Sequence, residues 1–244
     1  MRLTLLGRHL RVFACLVGIF CAGFSQTAQA EPLINAQDPF EVFNRGVFAF
    51  NEIVDHAVLR PVALVYTKVL PRWARNSVNH FFGNLADAWA IPNNALSLRS
   101  KATSDSFKRV AINSTLGVLG LMDVATEMDI DRHPADFGLM LSRWGLPAGP
   151  YVVLPLLGPR TMVEVVVYPI DWKGNLANHL ESVEIRDFLT VLSFTDLRAS
   201  YLQADDVVKA GALDPYSFTR DSYLQRRLYL QNDGENQEDP GVQP

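Results

Sequence analysis

The residues able to do chemistry in this chain are few and scattered. Of its five histidines, His56, His80, His133 and His179 lie beyond the first thirty residues, and none stands four positions from another, as a helical metal pair requires. No G-x-S-x-G elbow, phosphate-binding glycine loop or H-E-x-x-H pair occurs. Asp129-Ile130-Asp131-Arg132-His133-Pro134 opens like a calcium loop, but its sixth position is Pro134 where glycine is needed and its twelfth is Met140 where a bidentate glutamate is needed. Asn113-Ser114-Thr115 fits a glycosylation acceptor, a pattern common by chance, and a capping or polar-lining role suits it better. The residue types therefore point away from an enzyme, and they offer no set for a metal or other cofactor.

Asn113-Ser114-Thr115 introduces the most unusual stretch of the chain, Ile112 to Asp123. A polar triplet runs into Leu116-Gly117-Val118-Leu119-Gly120-Leu121-Met122, an apolar segment broken by two glycines and closed by an acid. It is far shorter than the ~20 apolar residues a membrane-spanning helix needs. Glycines three apart allow positive φ and close backbone approach, so the segment can fold back on itself. Two readings fit: a short hairpin dipping into an apolar phase, or a buried connector between core helices.

The 244 residues suit one large domain or two. Residues 1–30 read as an export signal: Arg2, Arg8 and Arg11 precede an apolar run from Val12 to Phe24, and Ala28-Gln29-Ala30 matches the small-residue cleavage pattern. Cleavage there would start the mature chain at Glu31. It would remove three arginines and no acid, taking the formal net charge from −4 to −7. Such a chain is a poor ligand for nucleic acid. Both cysteines, Cys15 and Cys21, fall inside that segment. Lipidation of either as a lipoprotein cysteine fits poorly, because Phe13 and Phe20 stand where small residues are wanted.

The elements that would position the central stretch are helices. Asp38-Pro39-Phe40-Glu41 predicts a helix start with Asp38 as N-cap, followed by an apolar stripe of Phe40, Phe43, Val47, Phe50, Val54 and Val58. Arg60-Pro61 predicts its end or a kink, with a short helix from Val62 to Leu70 stopped by Pro71. Another helix carries Trp73 to Leu85, Pro92 predicts a new start, and Thr103 or Ser104 predicts the cap of a helix leading into the central stretch. Beyond it, the pattern predicts a helix over 136–144, an extended apolar run over 152–159, and an amphipathic helix over 181–204 with Ile185, Leu189, Leu192 and Leu197 inward. A last helix follows Asp214-Pro215. Residues 232–244 are acidic and poor in hydrophobics, and are expected to be disordered. The fold class is mainly α, with 31–231 as its helical domain. Excess apolar surface without a spanning segment suggests helices lying in a membrane plane. A scaffold binding a hydrophobic partner protein is the alternative.

The ordered motifs resemble the MlaA/VacJ family. They are Asp38-Pro39-Phe40-Glu41 with Phe43-Asn44-Arg45, then Phe48-x-Phe50-Asn51 and Asp55, and then Arg60-Pro61-Val62-Ala63. Pro71 with Ala74-Arg75-Asn76 follows, and Phe82-x-Asn84-Leu85. The resemblance resumes at Asn113-x-Thr115-Leu116-Gly117, Gly120 and Asp123-Val124-Ala125, then at Phe137-Gly138, Trp144-Gly145 and Gly149-Pro150-Tyr151. Leu154-Pro155 with Gly158-Pro159, and Asp214-Pro215-Tyr216, complete it.

The resemblance implies a ring-shaped helical protein in the inner leaflet of the bacterial outer membrane, beside trimeric porins. Such proteins remove mislocalised phospholipid from the outer leaflet and pass it to a periplasmic lipid carrier of MlaC type. By position, Asn113 to Asp123 would be the hairpin beside the lipid path. Leu116, Val118, Leu119 and Leu121 would then contact acyl chains. Gly117 and Gly120 would supply bend and mobility, and Asn113, Thr115 and Asp123 would line the polar side. Phe40, Phe43, Phe48 and Phe50 would belong to a membrane-plane helix. The chain departs from the family in lacking a clear lipidation cysteine. It also carries Leu98-Arg99-Ser100 in place of Leu-Gln-Gly, and Val163-Glu164 in place of Arg-Asp.

Overall fold

Helix α1 (Glu41–Val54) begins where Asp38 folds back, its carboxylate accepting the Phe40 N–H at 3.2 Å and its carbonyl the Glu41 N–H at 3.2 Å. The computed structural model describes residues 38–211 and 213–232. The expected signal cleavage after Ala30, the Cys15 and Cys21 question and the tail beyond Asn232 lie outside them. Pro61 does not end the first helix. A single π-turn, Asp55–Leu59, carries α1 into α2 (Arg60–Val69). The wider turn gives the Pro61 ring the room that a regular turn would deny it.

Helix α3 (Arg72–Leu96) likewise runs through Pro92, where a new helix was expected. The chain beyond the proline is tied down by two buried amides: Asn93 donates to the Trp89 carbonyl at 2.8 Å, and Asn94 to the His133 carbonyl at 3.0 Å. Helix α4 (Ser100–Thr115) starts earlier than expected. The Thr103 hydroxyl bonds back to the Arg99 carbonyl at 2.8 Å, so it is an interior residue and not a cap. The α3–α4 pair is the most extensively packed in the fold. One turn, α5 (Val124–Glu127), follows the central stretch, and Asp136 caps α6 (Phe137–Arg143) by accepting the Leu139 N–H at 2.7 Å.

The extended apolar run is a hairpin of β1 (Tyr151–Leu154) and β2 (Gly158–Thr161), antiparallel with Tyr151 opposite Thr161. The sequence pattern left residues 162–180 unassigned; they form α7 (Met162–Gly174), started by a Thr161–Glu164 capping box, and a 3₁₀ turn, Leu176–His179. Helix α8 (Val183–Gly211) is longer than expected, and α9 (Pro215–Asn232) closes the fold, taking in Asn232, which was expected to begin the tail. Ile185 and Leu197 were expected inward on α8 and are exposed. That helix docks through a polar residue instead: buried Asp196 accepts the Tyr66 hydroxyl at 2.9 Å and the Asn79 amide at 3.2 Å.

The apolar core gathers Tyr151, Val153, Tyr216 and Leu224, with Val47, Phe48 and Tyr223 against them. Two asparagines of α1 bind the outer edge of β1 as a neighbouring strand would. Asn44 donates to the Tyr151 carbonyl at 3.0 Å and accepts the Val153 N–H at 2.9 Å. One helical face further on, Asn51 donates to the Leu154 carbonyl at 3.0 Å and accepts the Leu156 N–H at 2.8 Å. Buried backbone groups need partners, and these two amides supply them. They explain the asparagines of the Phe43-Asn44-Arg45 and Phe50-Asn51 motifs.

Candidate functional site

The central stretch is a tight reversal connecting α4 to α5. Gly117 and Leu116 donate to the Ile112 carbonyl, Gly120 to the Asn113 carbonyl at 2.8 Å, and Met122 to the Gly117 carbonyl at 2.9 Å. Val118, Leu119 and Gly120 occupy the left-handed region in succession, with φ of 51°, 57° and 86°. For a β-branched valine that conformation is a strained outlier, of the kind that concentrates at functional sites. The two glycines have separate reasons. A Cβ on Gly117 would lie 2.2 Å from the Met122 carbonyl oxygen and 2.5 Å from that of Asn113. At Gly120 the positive φ decides, and a Cβ would also meet the Asn84 side chain at 2.7 Å.

Beneath the reversal lies a buried polar lock centred on Arg109, whose side chain is 1 % exposed. Its Nε donates to Asp87 at 3.0 Å, Nη1 to the Thr126 hydroxyl at 3.0 Å and the Ile130 carbonyl at 2.6 Å, and Nη2 to both Asp123 oxygens at 2.8 Å. All three guanidinium nitrogens are thereby engaged. Asp123 also accepts from Asn113 at 3.0 Å and from Thr126, capping α5. Burial opposes ionisation of Asp123, but hydrogen bonds from Thr126, Asn113 and Arg109 outweigh it and hold the carboxyl well below the usual range. Asn113 completes the lock by accepting the Ala125 N–H at 2.9 Å. Arg132 reaches Asp87 at 3.1 Å across Gly83, where a Cβ would meet the guanidinium at 2.7 Å. Asn84 ties α3 to the reversal through the Ser114 hydroxyl at 3.0 Å.

Above this lock the apolar side chains face outward. Leu116, Val118, Leu119, Leu121 and Met122 are all exposed, Leu119 by 73 %. A rigid polar base carrying a crown of exposed hydrophobics is the reverse of an ordinary connector, which would bury the leucines and wet the acid. No metal cluster occurs among the described residues, and none of their helices is long and apolar enough to cross a membrane.

A family model for the MlaA lipoprotein matches residues 36–230. The chain belongs to the MlaA lipoprotein family. The intermembrane phospholipid transport system lipoprotein MlaA of Escherichia coli K12 is 31 % identical over 242 residues, covering 93 % of this chain and 90 % of that protein. An uncharacterised protein of Rickettsia bellii is 36 % identical over 193 residues, 78 % of this chain and 75 % of its own. A solved structure from work on the structural basis for maintenance of bacterial outer membrane lipid asymmetry superposes with a TM-score of 0.67 at 31 % identity. It covers 80 % of this chain and all of its own.

Within this MlaA fold the expected site residues divide. Leu116, Val118, Leu119 and Leu121 stand exposed together, and Thr115 is exposed with its hydroxyl on the Ala111 carbonyl at 2.7 Å. Asn113 and Asp123, expected on the polar side of a path, are instead consumed in the lock, because Arg109 leaves a buried charge that must be paired. Phe40, Phe43 and Phe50 are exposed along α1 with Val42 and Ile53. Phe48 departs from that face: it packs edge-on against Tyr216, ring centroids 5.7 Å apart, as part of the core. No histidine side chain among the described residues bonds to the lock; His133 sits 3.3 Å from Asp105, and burial lowers its proton affinity despite that carboxylate.

Sequence reasoning missed Arg109, Asp87 and Arg132. The signal was present, for Asp105, Arg109 and Asn113 recur at intervals of four and share the buried face of α4.

Proposed function

We propose that this chain is a non-enzymatic phospholipid-transfer protein of the outer membrane. It takes mislocalised phospholipid from the outer leaflet and delivers it to a periplasmic lipid carrier of MlaC type, seated beside a trimeric porin. The observation that carries this reading is the exposed apolar crown of the 116–122 reversal on its buried polar lock. A diacyl lipid leaving a membrane needs apolar contact for its tails and a polar route for its head group. Passive transfer needs positioning, not a nucleophile. The exposed aromatic and aliphatic face of α1 fits a helix lying in the bilayer interface, and the same face continues as Val62, Val65 and Val69 on α2.

The second reading is a scaffold whose apolar surface binds the porin or another protein and no lipid. Leu119→Asp separates the two. Its side chain points to solvent, so folding is retained. Expressed in cells lacking the native gene, the variant is expected to raise outer-leaflet phospholipid and detergent sensitivity to the level of the deletion, while still co-purifying with porin. Unchanged outer-leaflet phospholipid would refute the transfer role of the hairpin.

A further inference from the structure

We infer that the corner joining α2 to α3 is a docking surface for a bilayer containing anionic phospholipid. The inference rests on the phospholipid-transfer reading and deepens it by naming the charge of the head groups the protein meets. The first sign is a charge pattern. Residues 56–86 contain no Asp or Glu, although the chain carries 26 acids and a formal net charge of −4. The same stretch holds Arg60, Lys68, Arg72 and Arg75.

The fold neutralises only the first of these cations. Arg60 lies 3.9 Å from Asp205, as Arg45 pairs with Asp214, Arg198 with Asp55 and Arg227 with Asp136. Lys68, Arg72 and Arg75 make no ion pair among the described residues. The carboxylates through which α8 meets α2 and α3 are already committed. Asp196 is buried and accepts from Tyr66 and Asn79, and Asp205 accepts from Arg198 at 2.6 Å. Lys68 and Arg72 are exposed, and Arg75 is half-buried with its Nε unpartnered. In an acidic chain, three cations left together without a carboxylate call for an external counter-charge.

The corner also carries the apolar half of an interfacial contact. Val62, Val65 and Val69 recur at intervals of three and four along α2 and are exposed, Val69 by 72 %. Trp73, at the start of α3, is 73 % exposed. Lys68 adjoins Val69 in the chain and Arg72 adjoins Trp73, so cation and hydrophobe alternate across the junction. Lysine and arginine lay their stems on apolar surface and extend their charge to the polar boundary, and tryptophan favours the head-group level of a membrane. This row continues the exposed face of α1, so the bilayer that receives α1 also reaches the corner. A bilayer of neutral head groups would satisfy the valines and the tryptophan and leave the cations without partners. Anionic head groups satisfy both, and the hold on the membrane then depends on them.

The test dilutes the purified full chain from detergent onto vesicles of phosphatidylcholine alone, or of phosphatidylcholine mixed with phosphatidylglycerol, and reads its partition by flotation at low and high salt. Binding to both is expected, stronger on the anionic vesicles, with the difference shrinking as salt rises. Lys68→Gln and Arg72→Gln, at exposed positions that leave the fold intact, should each weaken binding to anionic vesicles about fivefold and leave binding to phosphatidylcholine unchanged. Trp73→Ser should weaken both alike. Arg226→Gln, which removes the same charge from an exposed place on α9, should change neither. Equal binding of the parent to the two vesicle types overturns the corner and leaves phospholipid transfer standing. Binding to neither overturns the transfer reading itself. A loss that appears equally on phosphatidylcholine for Lys68→Gln and Arg72→Gln, or that Arg226→Gln reproduces, overturns the corner. So does unchanged vesicle binding by the Lys68→Gln/Arg72→Gln double variant with loss of a co-purifying acidic protein, which would assign the corner to a protein partner.

Discussion

Replacing Arg109 with methionine removes the cation that neutralises two carboxylates beneath the hairpin while keeping most of the side chain's volume. Asp87 and Asp123 have side-chain exposures of 3 % and 15 %, so neither can rehydrate fully. Breaking a buried ion pair by deleting one partner costs about 3–5 kcal/mol. Part of that is recovered here, since Arg132 still faces Asp87 and Asn113 and Thr126 still serve Asp123. A loss of about 3 kcal/mol is therefore expected, which for a chain of this size lowers Tm by roughly 6–12 °C. Arg109→Lys should recover little, because an ammonium cannot reach three directions in one plane. The assay is thermal unfolding of the purified protein followed by circular dichroism, with Asp123→Asn and the double variant completing a cycle. A coupling energy of about 1–3 kcal/mol is expected between contacting groups. A Tm for Arg109→Met within 1 °C of the parent would refute the lock.

The same lock sets an acid limit. Asp123 ionises more readily folded than unfolded, so its contribution is complete above the unfolded carboxylate pKa of about 3.9 and is lost as pH falls below it; Asp123→Asn should flatten unfolding curves below about pH 4. His133 binds a proton less readily folded than unfolded, so stability should begin to decline below about pH 6.5, a slope that His133→Gln removes in denaturant titrations. Gly117→Ala and Gly120→Ala should each disrupt the reversal, the first by driving a methyl into fixed backbone carbonyls and the second by forcing alanine to a φ of 86° against Asn84; unchanged hydrogen exchange of the reversal in either variant would contradict this. Asn44→Ala should cost about 2–4 kcal/mol by leaving the Tyr151 carbonyl and Val153 N–H without their partner, and an unfolding midpoint equal to the parent's would contradict that role.

Much of the helical layout was legible because punctuation and periodicity are local. Asp136 and Asp214-Pro215 mark real starts, whereas Asp38, expected as N-cap, stands two residues ahead of the actual N-cap, Phe40; the run over 152–159 is extended on either side of a turn at 155–157. The prolines at 61 and 92 misled for a physical reason: a π-turn or a set of buried amides relieves the ring locally, and neither shows in the pattern of apolar residues. The crown was only half legible: five apolar residues around two glycines offer no polar face, but that pattern suits a buried connector as well, and only the structure turns them outward.

What tertiary structure alone decided is where the polar residues go. Asn113 and Asp123 look like the wet side of a path because they flank an apolar segment, yet a buried arginine on the same helix claims both. The family resemblance places Phe48 with Phe40, Phe43 and Phe50 on a membrane-plane helix, yet Tyr216 from 168 positions away takes it into the core. By itself the sequence determined a mainly helical chain with a glycine-broken apolar reversal and the ordered motifs of its family. Only packing across distant segments separated lock from crown, because a polar side chain's role depends on which partner is close enough to pair with it, and that partner is set by the fold.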